Sequence, residues 1–310
     1  LKKWIIFFVC ILALVGCGSE TENEESSEES SNQEEQTNEQ VEEEEKEETE
    51  EQSNEDTTES SEDESETKND EEQEQDQVED DNDNSNSSTN DKENQEPLYE
   101  MNDVWSFKPI NENDAPSEVV LLTIDDGPDG QALEMAKTLN ELDAPAIFFV
   151  NGIFMEDEES QEIVRQIHEM GFPIGNHTYS HQNLSEVSES EQREEILSLN
   201  HLIREVTGEK PEFFRAPHGV NTDFAKQLVE EEGMLLMNWS YGYDFKQGYM
   251  EKDAIADIMV NTELLSDGAN LLMHDREWTN AALKDIVQGL RDKGYNMLDP
   301  DTILLPTDES

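Results

Sequence analysis

Cysteine is nearly absent from this chain: its 310 residues hold two, at positions 10 and 17, and none beyond. Everything after Cys17 therefore lacks both disulfides and thiolate ligands, and any metal bound there must be held by imidazole and carboxylate. Basic side chains are scarce too, 19 Lys and Arg against 79 Asp and Glu. So negative a chain argues against nucleic acid and other polyanions as partners, because phosphate contacts need Lys and Arg. Between Ser19 and Pro97 large apolar residues almost vanish, leaving 36 acidic residues, three Lys and low-complexity runs such as VEEEEKEETEEQ. Such a tract cannot bury enough apolar surface to offset the entropy of ordering, so it is expected to be disordered and extended by its own charge. As a flexible coil, a tract of about 80 residues has an r.m.s. span of roughly 50 Å. Isolated Glu-rich helical pieces are the competing reading, disfavoured by the Ser, Asn and Thr content.

A long hydrophobic run is also missing, with one short exception at the start. Lys2 and Lys3 precede the apolar stretch Trp4 to Val15, too short for a comfortable membrane span and built like a signal peptide. It ends at Leu14-Val15-Gly16-Cys17, which resembles the lipobox of bacterial lipoprotein signals. That resemblance implies cleavage before Cys17 and acylation of its thiol, and two or more acyl chains give stable anchoring. An uncleaved anchor helix is the alternative. The expected organisation is a signal peptide over residues 1–16, a lipid-anchored acidic linker over 17–97 and one folded domain over 98–310.

That last region is also acidic, 43 Asp and Glu against 14 Lys and Arg, and long enough for one sizeable core. Strand-like apolar runs alternate with helix-like stretches along it. Strands are predicted at Val119–Ile124, Ala144–Val150, Phe172–Gly175, Glu212–Arg215, Met234–Trp239, Asn270–His274 and Tyr295–Leu298. Helices are predicted at Gln131–Leu142, Glu158–Met170, Ser188–Thr207, Asp223–Glu232, Asp253–Leu265 and Thr279–Lys293. Ser188 stands three residues before Glu191, the spacing of a capping box. The alternation predicts an α/β fold with a parallel sheet, barrel or doubly wound, whose chemistry collects beyond the carboxyl ends of the strands.

Polar residues fall where that rule puts them. LTIDDGP (Leu122–Pro128) delivers Asp125 and Asp126 to the end of a buried strand, an arrangement that repulsion and desolvation oppose unless a metal or an Arg sits nearby. GNHTYSH carries His177 and His181 at i and i+4, so one helical turn or a tight loop points both rings the same way. Two His and one carboxylate form a common zinc set with a position left for water. On its own the HxxxH spacing says little. RAPHG turns sharply after Arg215, a residue able to neutralise a carboxylate, and the His218 N–H is a donor where Pro217 has none. Trp239 and His274 end two further strands, and His274 reads as either a packed core residue or a proton donor.

The ordered series TIDDGP, HTYSH, RAPHG, NWSYGYDF and LLMH resembles the metal-dependent polysaccharide deacetylases of the NodB-homology type, carbohydrate esterase family 4. The similarity runs from about Val119 to Leu304. It implies a distorted (β/α) barrel and removal of N-acetyl groups from sugars. Carried over residue by residue, Asp126, His177 and His181 would ligate a divalent metal, zinc first, with Co2+, Ni2+ or Mn2+ as alternatives. Asp125 would be the general base, held ionised and oriented by Arg215, and the His218 backbone N–H would bind the oxyanion. His274 would protonate the leaving amine, while Trp239 and Leu272 would wall the pocket for the acetyl methyl.

The chain departs from the family pattern at Ile124, where Phe is usual, and at His218, where Tyr is frequent. The fourth motif, WSYGYDF, lacks the Asp-rich WxxDxxDW form, and Asp244 is its only carboxylate able to tune His274. The expected role is that of a monomeric lipoprotein outside the cytoplasm, facing the wall and deacetylating peptidoglycan N-acetylglucosamine. An O-acetyl esterase acting on xylan-like polysaccharide and a non-catalytic glycan-binding module are the alternatives.

Overall fold

The computed structural model describes residues 96–111 and 114–306. The expected signal peptide, Cys17 and the acidic tract as far as residue 95 lie outside the described residues. In chain order the strands are β1 (Tyr99–Met101), β2 (Phe107–Pro109), β3 (Val119–Gly127), β4 (Ala146–Val150) and β5 (Ile174–Asn176), followed by β6 (Phe213–Phe214), β7 (Leu235–Leu236), β8 (Tyr241–Gly242), β9 (Ala269–His274) and β10 (Asn296–Met297). The helices are α1 (Ala132–Glu141), α2 (Glu158–Glu169), α3 (Glu189–Thr207), α4 (Asp223–Glu231), α5 (Lys252–Asn261) and α6 (Glu277–Asp292). None of them is long and apolar enough to cross a membrane.

β1 and β2 pair antiparallel, while every pairing in the main sheet is parallel. The sheet runs β7-β6-β5-β4-β3-β9-β8, with β10 also on β3. β7 and β8, consecutive in the chain, sit at opposite edges, so the sheet is curled but open, a distorted barrel with a gap between these two strands.

All nine residues of β3 are buried, as expected of a strand covered on both faces. Its side chains alternate between two environments because successive residues of a strand point to opposite faces. Val120, Leu122 and Ile124 pack with Leu271 and Met273 and with helix residues such as Leu139, Ile286 and Leu290. Val119 and Leu121 face inward with Ile147, Phe149, Phe213 and Met237, closed below by Tyr99, Phe107, Leu298 and Ile303. Thr123 and Asp125 continue this inward row. The sheet's upper interior is therefore polar, and its lower interior is filled. The β1–β2 hairpin that helps to fill it is locked against Gly268 (φ 73°), whose N–H and carbonyl meet Val119 and Phe107 and which leaves no space for a Cβ beside the Phe107 carbonyl.

Helix starts follow the sequence. Ser188 and Glu191 form the reciprocal capping box at α3, Asp157 caps α2 and Thr222 caps α4. Strand limits differ more. The first sheet strand runs to Gly127 and does not stop at Ile124, because its pairing with β4 shifts register between Ile124 and Gly127 and then resumes. The run Met234–Trp239 keeps only two strand residues, and a separate short strand, β8, forms at the other edge. The helix expected to reach Leu265 ends at Asn261, where Thr262 turns to an extended conformation. The β1–β2 hairpin was not expected from its sequence.

Candidate active site

Asp125 keeps the inward direction of its strand, and across the β3–β9 pairing it stands opposite His274. Arg215 enters from the end of β6, 0% exposed, and one guanidinium nitrogen donates to Asp125 Oδ1 at 2.6 Å and Thr123 Oγ1 at 2.8 Å. The other donates to the Asn238 carbonyl at 3.0 Å and Asn270 Oδ1 at 3.3 Å, with the guanidinium 4.4 Å from the centre of the Phe149 ring. Asp125 is itself only 2% exposed. Burial pushes its carboxyl up from the usual range, opposed first by the Arg215 charge and then by His274. Burial likewise lowers the Arg215 guanidinium, which Asp125 raises. Each charge is tolerable in this interior because the other is present.

Asp126 does not follow the pleat. It adopts φ 64° within the register shift, and its carboxylate turns away from Arg215. Its Oδ1 lies 3.5 Å from His181 Nε2 and 3.7 Å from His177 Nε2. Asp125 Oδ2 is also 3.7 Å from His177 Nε2. Ligand atoms of Asp126, His177 and His181 all fall within 4.8 Å of one another.

His177 Nδ1 is 2.7 Å from the Arg215 carbonyl. A carbonyl only accepts, so Nδ1 carries the proton and Nε2 presents its lone pair to the Asp126 side. Burial holds His177 well below the usual imidazole range, at about 3, and lowers His181 as well. Both rings are thereby in the neutral form that metals bind. Asp126 Oδ1 is buried without a hydrogen-bond partner among the described residues. A buried carboxylate oxygen without a hydrogen bond, facing two imidazole nitrogens, fits a divalent cation.

The two histidines are set by a loop, not by a helical turn. Asn176, at the end of β5, accepts from Thr178 N and donates to the Ile196 carbonyl and to Asn200. Glu195 accepts from the Ser180 N–H and hydroxyl. Six non-glycine residues among those described have positive φ, and four of them are site residues or their neighbours: Asp126 near the end of β3, Thr178 and His181 in this loop, and His218 in the turn after β6. Each such residue costs about 1–3 kcal/mol, and conformations of this kind gather where surrounding structure imposes a functional geometry.

On the other side of Asp125, His274 Nδ1 lies 2.7 Å from Asp244 Oδ1, which leaves Nε2 outside this pair. Asp244 is fully buried and also accepts from the His274 N–H at 2.6 Å and Thr279 Oγ1 at 2.8 Å. Burial is the largest influence on His274 and lowers its proton affinity, but the Asp244 hydrogen bond and charge, joined by Asp125, outweigh it and raise the net value.

Leu272 lies two residues before His274 on the same face, beside Thr123. Trp239 lies past the end of β7, its ring 5.9 Å from the Arg215 guanidinium and against Gly219, whose φ of 69° suits glycine. His218, at φ 58° in the turn after Arg215, packs its ring edge-on to His181 at 5.0 Å between centroids. Asp125, Asp126, His177, His181 and Arg215 thus lie within contact of one another, with His274 paired to Asp244 across from Asp125, Trp239 against Arg215, Leu272 beside Thr123 and His218 against His181.

Two neighbours went unread in the sequence. Asp275 accepts from the Asp129 and Gln131 N–H groups at 2.6 and 2.5 Å, tying the start of α1 to β9. Arg276 donates to Asp126 Oδ2 and Asp129 Oδ2, both at 2.9 Å. Their only sequence signal was adjacency to His274.

The family model described as polysaccharide deacetylase matches residues 112–237. A peptidoglycan-N-acetylglucosamine deacetylase of Bacillus cereus is 31% identical over 184 residues, 56% of this chain and 64% of that protein. The chain therefore spans less than two thirds of this relative's length. Among solved structures, a family 4 carbohydrate esterase from Streptomyces lividans in complex with acetate superposes with a TM-score of 0.53 at 26% identity, covering 58% of this chain and 91% of that one. A family 4 pseudoenzyme from Bacillus anthracis gives a TM-score of 0.54 at 25% identity, covering 60% and 66%. One of these structures is named an esterase and the other a pseudoenzyme, so the fold alone does not decide the chemistry. In its matched segment, its open parallel sheet and its Asp-His-His cluster, the chain is similar to the polysaccharide deacetylases.

Proposed function

We propose that this protein hydrolyses N-acetyl groups on a cell-wall polysaccharide, with peptidoglycan N-acetylglucosamine as the substrate. The observation that carries the reading is the split between adjacent carboxylates: Asp125 is paired with Arg215 at 2.6 Å, while Asp126 Oδ1 faces His177 and His181. One is placed to handle a proton and the other to hold a cation. The Bacillus cereus relative, named for this substrate, supports the choice of sugar.

Asp126, His177 and His181 would hold the metal, with zinc matching their nitrogen and oxygen donors. When bound, a divalent ion lowers the pKa of water and polarises a carbonyl as a Lewis acid. Asp125 takes a proton from the water that adds to the acetamide carbon. Arg215 keeps Asp125 oriented and offsets its charge. The His218 N–H is assigned to the oxygen that becomes negative on addition. As the C–N bond breaks, His274 Nε2 gives its proton to nitrogen, so that the product leaves as an amine and not as an amide anion. Asp244 fixes the His274 ring and keeps it protonated to higher pH. Leu272 and Trp239 bound the space for the acetyl methyl.

Export as a lipoprotein anchored through Cys17, with the acidic tract as a spacer toward the wall and the domain acting as a monomer, completes the reading and rests on the sequence of residues 1–97. The test is acetate release from purified peptidoglycan, chitin oligomers and acetylxylan, measured side by side with and without chelator. Release from peptidoglycan that chelator abolishes and zinc restores is expected. Release from acetylxylan alone would move the activity to O-acetyl esters. Retained metal with no release from any of the three would leave a glycan-binding module.

A further inference from the structure

We infer that Arg276 is a positioning residue that confines Asp126 to binding the metal through one oxygen, which keeps a coordination position free for water and substrate. The inference rests on the metal-site reading above and extends it to a residue outside the recognised motifs. Arg276 Nη2 donates to Asp126 Oδ2 at 2.9 Å, while Asp126 Oδ1 has no hydrogen-bond partner and faces the two imidazoles. The two oxygens of one carboxylate are therefore in opposite circumstances, one occupied by a cationic donor and one presented.

The guanidinium cannot easily leave that post. Its Nη1 donates to Asp129 Oδ2 at 2.9 Å and to the Asp275 carbonyl at 3.1 Å, and the Arg276 N–H donates to the His274 carbonyl at 2.8 Å. Arg276 is also the residue from which α6 starts, so its backbone is fixed by both the strand end and the helix. Charge-assisted pairs of this kind are geometrically specific.

A role in metal affinity does not explain the pairing, since a positive group beside a ligand carboxylate repels the cation. Control of denticity does. Carboxylates bind divalent ions through one oxygen or two, and a hydrolytic site needs a position left for water. Without Arg276, no described group holds Oδ2, and it is free to join Oδ1 on the metal and take that position.

The full chain loaded with Mn2+ supplies the test. Wild type, R276A, R276Q and R276K are compared by Mn2+ titration, by the number of metal-bound waters from water-proton relaxation, and by acetate release. R276A should bind Mn2+ at least as tightly as wild type, carry one water fewer, and lose about tenfold or more in kcat with little change in KM. R276Q reports the same loss should R276A fail to fold. R276K, which keeps an ammonium donor, should restore most of the water count. Weaker Mn2+ binding with an unchanged water count in both neutral variants would overturn the inference, as would wild-type hydration and kcat. A wild-type chain that binds no Mn2+ would overturn the metal reading with it. Because hydration is read independently of turnover, a chain that binds Mn2+ but releases no acetate still decides the role of Arg276.

Discussion

Asn at position 125 keeps the shape of the aspartate, removes its basic oxygen and leaves the Arg215 charge buried without its ion-pair partner. D125N should therefore retain metal, lose about 100-fold or more in acetate release, and unfold several degrees lower, because breaking a buried pair costs about 3–5 kcal/mol. Metal content, kcat and Tm measured together separate these effects, and a near-wild-type rate would remove Asp125 as the base. His181→Ala should fail differently, losing both metal and activity, and unchanged metal content would sink its assignment as a ligand. Asp244→Asn addresses the proton donor. His274 has its proton affinity raised net by Asp244, so the acid form persists to higher pH than it would alone. With a neutral Asn the value falls, and the alkaline limb of the kcat–pH profile should move to lower pH. A limb that stays in place would mean that Asp244 only packs. At this scale the sequence was readable wherever chemistry clusters locally, as in Asp125-Asp126, His177 with His181, and Arg215. Arg276 was not, because its partner Asp126 is 150 residues away in the chain and no short motif carries that contact.

The starts of α2, α3 and α4 rest on local hydrogen bonds that can be read, whereas the strand ends are decided by tertiary contacts. Ser188 and Glu191 close the start of α3 entirely within four residues, so the capping box was visible in the text. Ser188→Ala should cost about 1 kcal/mol, a fall of about 2–4 °C in Tm for a domain of this size, with kcat unchanged since Ser188 touches no site group. A scan of Tm beside the activity assay checks both halves, and a loss of activity at constant Tm would contradict them. The end of β3 was not visible in this way. Its apolar run stops at Ile124, yet pairing with Val150 continues to Gly127 across the register shift. Hydrophobicity reports burial, and Asp125 and Asp126 are buried for another reason, the charges and imidazoles brought by β5, β6 and β9. The same reasoning covers β7 and β8. Met234–Trp239 reads as one strand on apolar content, but the chain must cross from one edge of the open sheet to the other, and it spends Asn238 and Trp239 on Arg215 and Gly219 instead of on pairing.

At the scale of the molecule, the parallel α/β architecture was legible because strand and helix patterns alternate without interruption from Val119 onward. The curl was not, since nothing local says whether the edge strands meet. Every side chain of the proposed reaction lies between Thr123 and Arg276, whereas 36 acidic residues stand between Ser19 and Pro97. If that tract is a spacer, deleting Thr21–Asn90 should leave kcat/KM on soluble N-acetylglucosamine oligomers within about twofold of the full chain at physiological ionic strength, where charges more than about 8 Å from the site are screened. The deletion also shortens the tether by most of its roughly 50 Å span, so intact cells carrying the deleted form should release less acetate from their own wall. The two assays fail in different directions. A loss on soluble oligomers would make the tract part of the folded site, and unchanged wall deacetylation in cells would remove its role as a reach-setting spacer while leaving the chemistry of Asp125, His274 and the Asp126 cluster intact.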